Sequence, residues 1–151
     1  MEDTLKVIRI TYNDGVYVGQ YTEKDGEPVE NGTGIFTWSN GDVYEGDFVD
    51  GMRTGEGTFR WADGKTYVGS FKEDAREGLG TLTWTDGSSY TGEFLNGRMH
   101  GKGKLSWANG ESYIGWFAND KMDGQGIHYA KDMSVIYDGP WIEGCPVNMF
   151  Q

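Results

Sequence analysis

The sequence predicts an all-β fold: an elongated, single-layer antiparallel sheet of tandem 23-residue β-hairpins, twisted into a groove. Three observations predict it. The chain has 25 glycines, 3 prolines and 15% aromatics, a mixture that suits short strands joined by turns, because flexible glycine-rich linkers are poor in aromatics. Tyr44-Glu-Gly46-Asp-Phe48 returns as Tyr67-Val-Gly69-Ser-Phe71, Tyr90-Thr-Gly92-Glu-Phe94 and Tyr113-Ile-Gly115-Trp-Phe117, each 23 residues on. Between these copies runs a second signature, Gly55-Glu-Gly57-Thr-Phe59-Arg-Trp61-Ala-Asp-Gly64, which is repeated at Gly78–Gly87 and Gly101–Gly110 and anticipated at Gly32–Gly41.

Each signature alternates apolar or small residues with polar ones, the period of a strand with one covered face. Tyr44, Gly46 and Phe48 share a face with Gly57, Phe59 and Trp61, and Glu45, Asp47, Thr58 and Arg60 take the solvated side. Glycine ordinarily weakens a strand, but a bare backbone position lets a neighbouring ring lie flat across it. The dipeptides Asn40-Gly41, Asp63-Gly64, Asp86-Gly87 and Asn109-Gly110 read as type I′ turns.

In chain order the repeats divide one domain, 1–151, into an N-terminal half-repeat (5–16), five full repeats (17–43, 44–66, 67–89, 90–112 and 113–136), a C-terminal half-repeat (137–144) and a tail (145–151). Tyr12 holds the tryptophan position in the first half-repeat. One strand, five hairpins and one strand give twelve strands. The first full repeat has a longer tip, Lys24 to Asn31, and the fifth has Ala130 in place of tryptophan and an extra residue near Asp132. Pro140 falls inside the final strand, where it would blunt a sheet edge, whereas the first strand, Leu5 to Tyr12, is open to pairing.

These residues resemble the MORN repeat (membrane occupation and recognition nexus), whose units read Tyr-x-Gly-x-Phe/Trp followed by paired glycines. The resemblance covers about Ile8 to Gly144. It implies a groove-shaped rod with roles in scaffolding, cytoskeletal attachment, membrane targeting and dimerisation. Some members of that family carry the repeats ahead of a catalytic domain, so the chain also reads as a targeting fragment of a larger enzyme.

Charge and chemistry narrow the function. A net charge of −11 and a pI near 4.5 argue against nucleic acid and broad binding to anionic lipid, and favour a basic or apolar partner. Cys145, the single cysteine, excludes an internal disulfide and a cysteine-based zinc site. Without an apolar run of membrane-spanning length or a signal peptide, the chain reads as cytoplasmic, with cytoskeletal or membrane association open to it. The Gly-x-Gly pairs lead into strands and so lack the helix N-terminus that a phosphate site uses. His100 and His128 stand in different repeats, and no acid–base or nucleophile pair can be assembled. No enzyme activity, cofactor or metal is expected.

Three surfaces remain as candidate sites. The aromatic ladder, which Tyr17 starts, continues through Trp38, Tyr44, Trp61, Tyr67, Trp84, Tyr90, Trp107 and Tyr113. Much of it must be core, yet a single sheet has no second layer to cover that face, and Tyr and Trp anchor interfaces well. It is expected to bind an apolar or amphipathic segment of a protein partner. In the fifth repeat Ile114, Trp116, Ile127 and Tyr129 fall on the polar face by alternation; either the tail, Val147 to Phe150, or a second subunit would cover them. Arg53, Arg76, Arg98 and Lys121 recur at hairpin tips, either as solvated charges or as a basic row for phosphoinositide or an acidic peptide.

Overall fold

The computed structural model describes residues 6–147. They form strands and turns, with no helix among them. Two compact units divide between Ala75 and Arg76. In the first, β1 (Lys6–Tyr12), β2 (Gly15–Lys24), β3 (Glu27–Trp38), β4 (Val43–Val49), β5 (Met52–Arg60) and β6 (Thr66–Lys72) pair antiparallel in chain order. In the second, β7 (Ala75–Thr83), β8 (Ser89–Leu95), β9 (Arg98–Ser106), β10 (Ser112–Ala118), β11 (Lys121–Tyr129), β12 (Val135–Ile142) and β13 (Cys145–Pro146) do the same. The described residues thus add a short thirteenth strand to the twelve expected. Leu5 and residues 148–151, with most of the tail proposed as a cover, lie outside them.

The register explains how one layer makes a core. Tyr44 pairs across the ladder with Phe36 and Phe59, and Gly46 with Gly34 and Gly57. The Tyr44 ring lies over Gly57, where an added Cβ would come within 2.6 Å of ring Cζ. The Phe48 edge meets the same ring at 5.1 Å, and Phe71 of the next repeat meets it at 5.1 Å, both near perpendicular. Tyr17, Tyr90 and Tyr113 repeat the arrangement over Gly34, Gly103 and Gly126. Tyr44, Tyr90 and Tyr113 thus have glycine below and an aromatic edge on each side, and Tyr17, Tyr44, Tyr67, Tyr90 and Tyr113 all have 0% exposure.

Each phenol also closes a backbone irregularity. The register slips between Gly46 and Phe48, leaving Asp47 as a bulge. Tyr44 Oη donates to the Asp47 carbonyl at 2.7 Å, as Tyr90 donates to Glu93 at 2.7 Å and Tyr113 to Trp116 at 2.8 Å. The bulged side chain then reaches the next strand: Asp47 Oδ2 accepts from Glu56 N at 2.9 Å, and Gln20 Oε1 from Thr33 N at 2.7 Å. Pro140 holds the equivalent position three residues after Tyr137, with Tyr137 Oη donating to its carbonyl at 2.9 Å. It pairs with Gln125 of β11, and β13 follows it, so the strand carrying Pro140 is not the last.

The turns are distributed differently from the sequence reading. The Asn-Gly and Asp-Gly pairs between repeats are not type I′: only the glycines, such as Gly64 at φ 103°, are left-handed. The preceding carboxylate or amide turns inward, with Asp63 Oδ1 accepting from Lys65 N at 2.9 Å and Asn40 Oδ1 from Asp42 N at 2.9 Å. Paired positive φ values occur instead at the hairpin tips, at Asp50-Gly51 (49°, 81°), Glu73-Asp74 (47°, 71°) and Asn96-Gly97 (50°, 81°). A two-residue hairpin loop needs that geometry to match strand twist, whereas the longer inter-repeat loop needs one left-handed residue.

Candidate functional site: the tryptophan face

The aromatic ladder separates into two levels. Tyr44, Tyr67, Tyr90 and Tyr113 are completely buried, so they cannot touch a partner as the sequence reading expected; they are the core. Trp38, Trp61, Trp84 and Trp107 lie one pair further along the strands and remain half-buried. The backbone N–H of each tryptophan donates across its inter-repeat loop, that of Trp84 to the Ser88 carbonyl and that of Trp107 to the Glu111 carbonyl, both at 2.9 Å. The loop therefore fixes the backbone from which each indole projects.

The four indoles differ in what covers them. Trp38 packs against Phe36 at 4.5 Å and Phe59 at 5.3 Å, and the Arg53 guanidinium stands 5.5 Å from its ring centre. Lys65 Nζ lies 4.3 Å above Trp61. Between Trp84 and Trp107 there is instead an open slot, floored by Met99 and Leu105 and edged by Asp86 and Ser88. It has apolar walls, a flexible thioether at its base and polar groups at one rim, the composition of an apolar side-chain receptor.

Sequence reasoning missed Met99. It occupies the position held by Arg53 two repeats earlier: Phe94 pairs with Met99 as Phe48 pairs with Arg53. The signal was the 23-residue step itself, which links 53 to 76 and 99, not to 98. That offset dissolves the basic row. Arg53 turns over the aromatic face, its Cζ within 5.4 to 5.9 Å of the Trp38, Tyr44, Phe59 and Phe71 rings. Its Nε meets Asp74 Oδ1 at 3.2 Å. Arg76 likewise covers Phe94 at 5.5 Å and donates to the Gly97 carbonyl. Arg98 and Lys121, one residue out of step, are exposed, because a one-residue shift along a strand reverses the face.

Titratable groups on this face are structural. Glu30, 8% exposed, holds the corresponding position in the first full repeat. Burial pushes the Tyr12 phenol up to about 12, with the Glu30 charge and hydrogen bond adding to it. His128 Nε2 lies 2.6 Å from Glu111 Oε1, its ring 5.3 Å from that of Trp107; the sequence reading had no partner for it. Among the described residues no group of three or more His, Cys, Asp or Glu is gathered as a metal site requires.

On the opposite face Ile114 and Trp116 are 42% and 46% exposed, while Ile127 and Tyr129 are half-buried beside them. The first unit carries an apolar patch there too, with Val18 and Ile35 43% and 40% exposed. The sequence signal for it was the apolar residue between Tyr17 and Gly19, obscured because polar residues take that place in several other repeats.

Comparison with known proteins finds the MORN repeat model matching residues 29–43, 44–66, 67–89, 90–112 and 113–132. No curated protein matches the chain. One similar solved structure is the TCP domain of SAS-4 (dCPAP) from Drosophila melanogaster, in complex with a proline-rich motif of Ana2 (dSTIL). It shares 13% identity at a TM-score of 0.42, over 85% of this chain and 81% of that one.

Proposed function

From the premise that this chain belongs to the MORN-repeat family, we propose that it is a non-catalytic scaffold or adaptor that holds a protein partner on its tryptophan face. The observation that carries this reading is the slot between Trp84 and Trp107. Its walls are two half-buried indoles, the residue type that contributes most when an interface is formed. Its floor of Met99 and Leu105 suits an apolar side chain of variable shape. Within the second unit Tyr90 and Tyr113 are fully buried, so the slot is built on a packed core that an amphipathic segment can join with little reorganisation. The net charge of −11 favours a partner with basic residues around its apolar anchor. Arg53 and Arg76 lie over aromatic rings and Arg98 and Lys121 are exposed, which favours a protein partner over a lipid headgroup.

The test is affinity capture with mass spectrometry, comparing the wild-type chain with Trp84→Ala/Trp107→Ala. The variant keeps every core tyrosine, so its far-ultraviolet spectrum should remain that of the folded sheet. A protein recovered with the wild type and lost with the folded variant supports the slot. Equal recovery refutes it.

A further inference from the structure

We propose that the slot between Trp84 and Trp107 takes an arginine side chain of the partner, whose guanidinium fills the kind of place that Arg53 holds in the first unit. The inference rests on the slot being the partner site and names the chemistry that the slot receives.

The repeat supplies its own template. In the first unit the Arg53 guanidinium stands 5.5 Å from the Trp38 ring centre and 5.4 Å from that of Phe59. Asp74 holds it there, with Oδ1 accepting from Arg53 N at 2.9 Å and from Arg53 Nε at 3.2 Å. Two repeats on, the positions of Arg53, Trp38, Phe59 and Asp74 are taken by Met99, Trp84, Leu105 and Asp120. Asp120 keeps the same backbone bond, its Oδ1 accepting from Met99 N at 2.9 Å, but methionine brings no charge to meet it. A second cation is replaced as well. Lys65 Nζ lies 4.3 Å over Trp61, whereas the residue four places after Trp84 is Ser88. Among the described residues no cation stands over Trp84 or Trp107, and none pairs with Asp120.

Arginine fits the slot part by part. Its methylene stem is apolar, which suits the floor of Met99 and Leu105. Its planar guanidinium stacks on aromatic rings and donates to carboxylates in a fixed fork, which suits the indole walls and Asp86 at the rim. Asp86 Oδ1 accepts from Ser88 N at 2.8 Å, so that carboxylate is held in place before a ligand arrives. A lysine ammonium is more strongly hydrated and loses more on leaving water. A plain apolar side chain gives Asp86 and Asp120 no counter-charge. The net charge of −11 also draws a cationic segment towards the chain.

Nuclear magnetic resonance of the Trp84 and Trp107 indole N–H signals tests this, with the methylamides of N-acetyl-arginine, N-acetyl-citrulline and N-acetyl-norleucine as probes. Citrulline has the shape of arginine without its charge, and norleucine has the apolar stem alone. The arginine probe should bind with a dissociation constant of about 1–10 mM, the scale for so small a molecule, and about tenfold more tightly than either of the others. Asp120→Asn, which keeps an oxygen for Met99 N, should weaken the arginine probe about threefold and leave the norleucine probe unchanged. Met99→Arg, which restores the first unit's arrangement, should stay folded by its far-ultraviolet spectrum and no longer bind the arginine probe. The partner reading fails separately, on equal recovery of the captured protein by Trp84→Ala/Trp107→Ala. Citrulline or norleucine bound as tightly as arginine overturns the present inference and leaves that reading standing. So does an arginine affinity indifferent to both Asp120→Asn and a folded Met99→Arg, or the lack of a saturable shift with the arginine probe.

Discussion

Tyr44 lies flat against Gly57, with no side chain between ring and backbone. The contact recurs from repeat to repeat and lets a single sheet have a core. A Cβ at Gly57 would overlap the ring, and the phenol cannot retreat without leaving the Asp47 carbonyl it caps at 2.7 Å. Gly57→Ala should therefore cost about 1–3 kcal/mol, the scale of overpacking in a filled core. Denaturant unfolding measures it, and a loss below about 0.5 kcal/mol would mean the ring has room to move.

The tyrosines also set an alkaline limit. Burial is the first cause that pushes Tyr17 and Tyr113 up to about 12, with Glu30 adding to it at Tyr17; Tyr44 and Tyr90 are raised further by the same burial. A phenol whose folded value lies above its unfolded value of about 10 keeps its proton longer in the folded state. Its contribution is complete below about pH 10 and is lost as the pH rises through about 12. Stability followed from pH 9 to 12 should fall steeply, and phenolate absorbance should grow in step with unfolding. Full ionisation near pH 10 in a still-folded chain would contradict the burial.

Much of this was legible in the sequence, and the failures share a cause. The step of 23 residues and the period-two alternation located strands, faces and repeat boundaries, because each depends on residues near in sequence. The depth of Tyr90 relative to Trp84 did not follow from alternation, which sets the face of a residue but not its height above the sheet. That height comes from Phe94 and Phe117 closing on the Tyr90 ring at 5.1 and 4.9 Å, and Phe117 belongs to another repeat. The arginine row failed for a simpler reason: Arg98 was counted with Arg76 although it is 22 residues on.

Arg53 and Arg98 accordingly differ in kind. The Arg53 side chain lies over four rings and meets Asp74, so Arg53→Ala should cost about 1–2 kcal/mol through lost packing and cation–π contact. Arg98→Ala should stay within about 0.5 kcal/mol, as exposed substitutions do. Arg53→Met, which imports the residue at position 99, should recover most of the loss. Equal effects of Arg53→Ala and Arg98→Ala in thermal unfolding would contradict the division of faces.

Met133 carries a local strain. It is left-handed at φ 72° in the loop where the other full repeats place glycine, as at Gly110 with φ 94°. Met133→Gly should stabilise the chain by up to about 1 kcal/mol, the left-handed penalty less the extra freedom glycine gives the unfolded state. A rise in the unfolding midpoint is expected; a fall would show that the methionine side chain contributes more than its backbone costs.

The most direct test of the tryptophan face is calorimetric titration of a captured partner segment into the wild type, Trp84→Ala/Trp107→Ala and Trp116→Ala. The two indoles that wall the slot should carry the binding, so the double variant should lose at least about thirtyfold in affinity, while Trp116→Ala, on the opposite face, should bind as the wild type does. Unchanged affinity in the double variant, or a comparable loss in Trp116→Ala, would contradict the assignment of the Trp84–Trp107 slot as the binding site.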